Sequence, residues 1–159
     1  MADENGKEVL HFLKEWAKRY FKNKDLAERR IKEMSEEKNE VKLHYKDGSY
    51  ADVFVCESLD DVKSALSKHS EKSFLITINS KRNLDYLFTN WSFFEKIKGF
   101  YIIFINPFSI KETKWSLFPY THAMVTETSA LKKGILSMAD AVDLIDQKTF
   151  ADKISKEVE

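Results

Sequence analysis

Glycine, proline and cysteine are scarce in this sequence, and long apolar runs are absent. Four glycines and two prolines among 159 residues leave little room for flexible linkers, so residues 1–159 are predicted to form one domain. The longest apolar runs have about six or seven residues, far fewer than the roughly 20 that a membrane-spanning helix needs, which predicts no membrane partner. A polar N-terminus and a single cysteine, Cys56, predict a reduced, cytoplasmic protein without an internal disulfide.

The net charge of the chain is zero, because 26 basic residues balance 26 acidic ones. This balance favours neither an anionic nor a cationic partner. The charges are unevenly distributed, however. From Lys72 to Lys133 there are nine basic residues and four acidic ones, whereas the segment from Ile135 onward is acidic. A solvated surface and nucleic-acid binding both explain an asymmetry of this size.

Periodic apolar patterns predict the secondary structure of the first third of the chain. Apolar residues at helical spacing predict an amphipathic helix from Lys7 to Lys22. A capping-box spacing predicts a second, charge-rich helix over Leu26–Met34. Apolar and polar residues then alternate in Val41–Tyr45 and Tyr50–Cys56. With the turn signal Asp47-Gly48 between them, these two segments predict a β-hairpin.

The middle of the chain is predicted to form a strand–helix–strand unit. Phe74–Ile78 and Phe100–Ile105 are nearly continuous apolar runs, as expected of strands that are covered on both faces. The helix between them is predicted over Asn83–Lys98, and a shorter helix over Leu59–His69 precedes the unit.

Weaker patterns follow in the last third. They predict a short strand over Trp115–Phe118, a loop through Tyr120–His122, a helix that starts at Thr128 or Ser129, and a final helix over Thr149–Val158. The whole chain is therefore predicted to be a single α/β domain. Its mixed sheet is expected to have four or five strands, with helices on both faces.

The order helix, hairpin, strand, helix, strand resembles the core of the restriction-endonuclease-like (PD-(D/E)xK) superfamily. Ala51-Asp52-Val53-Phe54 resembles the segment with the family's first acidic residue, and Ile78-Asn79-Ser80-Lys81 falls where the family has Ile-Glu-x-Lys. The resemblance implies a nuclease-like domain associated with nucleic acid. Asp52 and Asn79 would be ligands of Mg²⁺, and Asp52 and Lys81 would be catalytic. The cation would polarise water and phosphate, and the lysine would stabilise charge that develops on phosphorus.

Two features depart from that family pattern. Asn79 offers a neutral amide where the family has a second carboxylate, which predicts a weak metal site and degenerate catalysis. A helix also separates the Asp52 strand from the Lys81 strand, where the family often has a direct hairpin. The alternative fold is a Rossmann-like parallel sheet, in which the polar turn around Asn79 and Arg82 can bind an anion. The direction of the strand before Asn79 distinguishes these two folds.

Two further residues are candidates for binding. His122 lies behind the second buried strand in an irregular segment, where binding residues concentrate. Lys114 lies beside the aromatic region Trp115–Tyr120, whose rings, if exposed, would form a partner surface or a base-stacking platform. The sequence thus leaves two functions open. One is a nuclease-like, nucleic-acid-associated domain; the other is a non-catalytic protein-interaction domain that forms a homodimer through Trp115–Tyr120.

Overall fold

A mixed six-stranded sheet organises the computed structural model, which describes residues 4–61, 66 and 72–158. The described strands are β1 (Ile31–Glu36), β2 (Glu40–Tyr45), β3 (Tyr50–Val55), β4 (Ser73–Ile78), β5 (Phe100–Ile105) and β6 (Lys114–Leu117). The described helices are α1 (Glu4–Lys24), α2 (Lys81–Thr89), α3 (Trp91–Phe94), α4 (Pro119–Val125), α5 (Thr128–Ala141) and α6 (Gln147–Val158). None of these helices is long and apolar enough to cross a lipid bilayer.

The strands lie side by side in chain order, from β1 to β6. β1, β2 and β3 form an antiparallel meander, β3, β4 and β5 are parallel, and β6 returns antiparallel to β5. The prediction of a single α/β domain with a mixed sheet is confirmed. The prediction of four or five strands is wrong, because β1 adds an edge strand in a segment that was expected to be helical.

The extra strand forms where the charge-rich helix over Leu26–Met34 was predicted. The carboxylate of Asp25 accepts hydrogen bonds from the backbone N–H groups of Arg30 (2.8 Å) and Ile31 (2.9 Å). Arg29 has a φ of 51°, a left-handed conformation that does not continue a helix. The chain therefore turns after α1 and pairs with the open edge of β2, and this pairing outweighs the helix propensity of the segment.

β4 is the centre of the sheet, and all of its residues are buried. It pairs in parallel with β3 on one side and with β5 on the other. Both edges of β4 are paired with other strands, and both of its faces are covered by protein. This burial explains its continuous apolar sequence. The parallel pairing of β3 with β4 is the direction expected of the Rossmann-like alternative, in which the turn at Asn79 and Arg82 joins a strand to a helix.

Helices cover both faces of the sheet, as predicted. On one face, α1 and α6 contribute Val9, Leu13, Ala17, Phe150 and Ile154 to the core. On the other face, α2, α3 and α5 contribute Leu84, Leu87, Phe94, Leu131 and Ile135. The domain therefore has two apolar layers separated by one sheet.

Three predicted segments differ in detail. The single helix over Asn83–Lys98 is two helices, α2 and α3, which meet at Asn90. The predicted loop Tyr120–His122 belongs to α4, which starts at Pro119, a residue whose fixed φ suits a first helical position. The predicted helix over Leu59–His69 begins with a 3₁₀ turn at Leu59–Asp61; most of its remainder lies outside the described residues.

Candidate functional site

Asp52, the predicted metal ligand and catalytic carboxylate, is buried in the middle of β3 and is 6% exposed. Its Oδ1 lies 3.7 Å from Nζ of Lys42, the residue directly opposite on β2. A buried carboxylate needs such a cation because desolvation of the charge is costly. Burial and the nearby charge of Asp52 raise the pKa of Glu40 on the same hairpin. The structure thus places Asp52 in a cross-strand ion pair.

Lys81, the predicted catalytic lysine, lies at the first position of α2 and is exposed. Asp52 is paired with Ser73 at the start of β4, whereas Lys81 follows the other end of that strand. At about 3.3 Å per residue, β4 alone spans about 16 Å. The structure therefore does not bring Asp52 and Lys81 to a common point.

Asn79, the predicted second ligand and binding residue, is fully buried. Its Oδ1 accepts a hydrogen bond from Nε1 of Trp115 at 2.8 Å. Its amide nitrogen faces three carbonyl oxygens at the end of α5, those of Ala139 (3.1 Å), Val142 (3.0 Å) and Asp143 (3.3 Å). Both ends of the amide are therefore occupied by the fold, and the side chain joins β4 to β6 and α5.

The segment after α5 closes the edge of the sheet where ligands usually bind in α/β proteins. The amide nitrogen of Asn106, at the end of β5, donates to the carbonyl of Asp143 at 2.8 Å. The N–H of Ile145 donates to the carbonyl of Asn79 at 3.1 Å. The carboxyl ends of β4 and β5 therefore contact the protein's own chain.

Arg82, a predicted anion-binding residue, lies in the first turn of α2. Its guanidinium lies 3.2 Å from the carboxylate of Asp60 and donates to Oε1 of Gln147 at 3.2 Å. Arg82 is exposed, so this contact is a weak surface ion pair. The Arg82 side chain links α2 to the 3₁₀ turn and to α6. The carboxylate of Asp60 already lies beside the guanidinium, where a bound anion was predicted.

A different site forms between α1 and the neighbouring face of β4, β5 and β6, and we call it the aromatic–basic groove. Two adjoining hollows of about 770 and 180 Å³ share Tyr20 and Lys24. Four cationic residues line them: Arg19, Lys24, Lys72 and Lys114. Five aromatic residues line them as well: Trp16, Tyr20, Phe74, Tyr101 and Phe118. Among the described residues, the lining of these two hollows contains no aspartate or glutamate, whereas a third hollow that shares Lys24, Lys72 and Phe74 is also lined by Asp25 and Glu28.

The rings of the groove continue into the core through aromatic contacts. On α1, Trp16 and Tyr20 have ring centroids 5.2 Å apart. Phe21 lies 5.0 Å from Tyr20 and 4.7 Å from Phe74 on β4, and both pairs have edge-to-face geometry. Such contacts favour defined ring orientations. The groove rings on α1 and β4 are therefore held from behind by buried neighbours.

The other side of the groove continues the same series. Tyr101 on β5 stacks on Phe74 at 5.1 Å with an interplanar angle of 22°. Phe118, at the start of α4, makes an edge contact with Tyr101 at 4.6 Å and stacks on His122 at 5.5 Å. Nδ1 of His122 accepts a hydrogen bond from the N–H of Phe118 at 3.1 Å. The predicted binding residue His122 thus supports a ring of the groove and closes the first turn of α4.

The lysines of the groove lie over these rings. The ammonium groups of Lys24 and Lys114 each lie 5.6 Å from the ring centroid of Tyr20, and that of Lys72 lies 5.7 Å from Phe74. In the described part of the chain, Arg19, Lys24 and Lys114 have no carboxylate within ion-pair distance. Three positive charges of the groove are therefore available to an anion.

Sequence reasoning identified one side of this groove and missed the other. The sequence predicts binding residues in Lys114, His122 and the region Trp115–Tyr120, whereas Trp16 and Tyr20 lie within the predicted amphipathic helix Lys7–Lys22. The signal that could have shown the other side is the position of two basic residues on the same helix. Arg19 and Lys24 line the groove together with Trp16 and Tyr20.

Among the described residues, no three histidine, cysteine, aspartate or glutamate side chains are grouped so that they could hold a metal ion. The Mg²⁺ site therefore stays a prediction. Comparisons with protein-family models, with curated proteins and with solved structures find no match for this chain.

Proposed function

We propose that the chain is a nucleic-acid-binding domain whose binding surface is the aromatic–basic groove. The observation that carries this proposal is the composition of the groove: four cations and five aromatic rings line it, without a carboxylate among the described lining residues. The proposal keeps the nucleic-acid association that the sequence suggested and moves it away from Asp52 and Lys81.

Phosphate contacts supply much of the affinity of nucleic-acid-binding proteins, and they require lysine or arginine side chains that are not neutralised by acidic neighbours. Arg19, Lys24 and Lys114 meet this requirement, since they are exposed and lack an ion pair within the described part of the chain. The net charge of zero makes this local concentration of positive charge the main electrostatic feature that favours a polyanion.

Binding at this groove needs neither a metal ion nor Asp52. We therefore expect binding to persist in EDTA, and we expect the Asp52→Ala variant to bind as the wild type does if it remains folded. A cleavage assay with Mg²⁺ or Mn²⁺ tests the nuclease alternative. Metal-dependent cleavage that disappears in Asp52→Ala would show catalysis at the predicted nuclease site.

The test measures fluorescence anisotropy of labelled oligonucleotides, single-stranded and double-stranded, with wild-type protein and two double variants. Lys24→Gln with Lys114→Gln removes two groove cations. The control variant, Lys132→Gln with Lys133→Gln, removes two exposed cations of α5. It is a matched control because Lys132 also lies over an aromatic ring, that of Phe88, at 5.2 Å. We expect the groove variant to weaken binding about tenfold or more and the α5 variant to leave it nearly unchanged. Equal losses in both, or no binding by the wild type, would reject the proposal.

A second candidate is self-association through α4, as expected of a homodimeric interaction domain. Met124 and Val125, at the end of this helix, are 70% and 73% exposed. Trp115 and Leu117 of the predicted interface are buried in the core, so Phe118 is the main apolar addition to this patch. Sedimentation velocity over a range of concentrations tests the candidate. A dimer that Val125→Glu dissociates would support it, whereas a monomer at every concentration would reject it.

A further inference from the structure

We infer that the aromatic–basic groove binds an unpaired strand, single-stranded DNA or RNA, whose bases stack on Tyr20, Tyr101 and Phe118. This inference rests on the proposed function and makes its ligand specific. It follows from the arrangement of the rings, because phosphate contacts alone do not require aromatic side chains.

The three rings combine exposure with support. Phe118 is 37% exposed, and Tyr20 and Tyr101 are half-buried. Behind them, Phe21 contacts Tyr20 at 5.0 Å and Phe74 stacks on Tyr101 at 5.1 Å. Rings that are already ordered lose little conformational entropy when a base stacks on them. The groove therefore offers rigid aromatic platforms at its surface.

Two cations lie over one of the platforms, the ring of Tyr20. Lys24 and Lys114 both lie 5.6 Å from the ring centroid of Tyr20, and Ser116 and Phe118 continue the same hollow beyond Lys24. Each nucleotide carries a planar base and a phosphate on one flexible unit. A positively charged groove combined with aromatic rings is the arrangement with which proteins bind single strands irrespective of sequence.

A duplex cannot use the rings in the same way. Its base faces are stacked inside the helix, and only base edges reach the grooves. The ring faces of Tyr20, Tyr101 and Phe118 would meet sugar and phosphate, so a duplex would gain the charge contacts without stacking. The rings therefore predict a preference for single strands, whereas the cations alone predict none.

The experiment compares a 12-nucleotide single strand, the duplex of the same sequence, and a single strand of the same length whose central bases are replaced by abasic sites. DNA and RNA versions are both titrated. The protein variants are Phe118→Leu and Tyr20→Leu, with Tyr50→Leu as the matched control. Tyr50 is 48% exposed and has Lys42 over its ring at 4.9 Å, but it does not line the groove.

We expect the single strand to bind at least about tenfold more tightly than the duplex, and the abasic strand to bind like the duplex. Phe118→Leu and Tyr20→Leu should each weaken single-strand binding about fivefold or more, with duplex binding and the Tyr50→Leu control unchanged. Whichever of DNA or RNA binds more tightly identifies the source of the strand. Thermal melts establish that the variants fold, and Phe118→Leu, at an exposed position, keeps the test valid if Tyr20→Leu is unstable.

The possible failures are distinguishable. Equal affinity for single strand, duplex and abasic strand, lost on mutation of Lys24 and Lys114, would overturn the stacking inference and leave the proposed function intact. Single-strand preference that survives both ring variants would also overturn the inference. Absence of binding to every nucleic acid would reject the proposed function itself.

Discussion

Asn79 shows how one residue can resemble a ligand in sequence and serve the fold in structure. It occupies the position of the second carboxylate in a nuclease-like motif, yet its amide joins Trp115 to the end of α5. An asparagine suits this position because the site needs an acceptor on one side and donors on the other. A carboxylate would supply only acceptors. The departure from the motif is therefore explained by the hydrogen bonds of the core.

This explanation predicts the effect of Asn79→Asp, which restores the acidic residue of the motif. An oxygen would then face the carbonyls of Ala139 and Val142, and we expect a loss of about 3 kcal/mol or more in unfolding free energy at pH 7. Burial would raise the pKa of the introduced carboxyl in the folded state. The folded state therefore favours the protonated form of this carboxyl. The loss of unfolding free energy relative to the wild type should be smallest near pH 4 and should grow as pH rises. Urea unfolding at several pH values measures this.

The control makes the same chemical change at Asn39, an exposed residue between β1 and β2, where a shift within about 0.5 kcal/mol is expected. If Asn79→Asp were as stable as the wild type and acquired Mg²⁺-dependent cleavage, the nuclease reading of this position would be favoured over the structural one.

Cys56 gives a second prediction at the scale of a residue. The thiol is 3% exposed, and burial raises its pKa from 9.0 to about 12. In the folded state the neutral thiol is thus favoured relative to the unfolded chain. The resulting stabilisation is complete below about pH 9 and is lost as pH rises toward 12, with a slope of at most about 1.4 kcal/mol per pH unit.

The measurement is the difference in unfolding free energy between the wild type and Cys56→Ala at pH 7.5, 9 and 10. Other titrating groups cancel in this difference. We expect the advantage of the wild type over the variant to shrink from pH 9 to pH 10, and we expect a thiol reagent to react with the native protein far more slowly than with the unfolded chain. A constant difference together with rapid labelling would show that the thiol is accessible.

At the scale of elements, local signals predicted the hairpin of β2 and β3 and the unit β4–α2–β5. Asp47-Gly48 is a turn signal that acts within a few residues, and Gly48 adopts the expected positive φ of 91°. The continuous apolar run of β4 likewise reflects burial on both faces. Such features can be predicted because the sequence near each element contains the physical reason for it.

β1 could not be predicted in this way. Its segment is rich in charged residues with high helix propensity, and only Ile31 and Met34 pack toward the core. What decides its structure is its pairing with the edge of β2, a strand that lies outside the segment itself. A tertiary contact therefore overrides the local preference.

The groove escaped prediction for a related reason. Helical periodicity shows that Trp16 and Tyr20 belong to the apolar face of α1, but it does not show where the covering surface ends. In the structure α1 packs on α6 and on β1 to β4, and it leaves part of β5 and β6 uncovered. The outer rings of α1 therefore border an open groove, and this outcome depends on how far the helix extends across the sheet.

At the scale of the whole molecule, equal numbers of acidic and basic residues conceal a local separation of charge. The net charge is zero, so long-range attraction of a polyanion is weak. Lys24, Lys72, Lys114 and Arg19 nevertheless lie together along one groove. Affinity for nucleic acid should then come from a small number of direct phosphate contacts, and that number can be measured.

The dependence of binding on salt counts these contacts. Each phosphate that a cation neutralises releases condensed counterions, so the logarithm of the binding constant falls with the logarithm of salt concentration by about 0.7 per contact on a single strand. The three available cations of the groove, Arg19, Lys24 and Lys114, predict a slope near −2.1 and hence about a 20-fold loss of affinity between 50 and 200 mM KCl. Lys114→Gln should lower the slope by about 0.7, and Lys132→Gln on α5 should leave it unchanged. Anisotropy titrations at four salt concentrations provide the values. A wild-type slope shallower than about −1, or one that changes equally in both variants, would mean that these three cations do not act together on one strand.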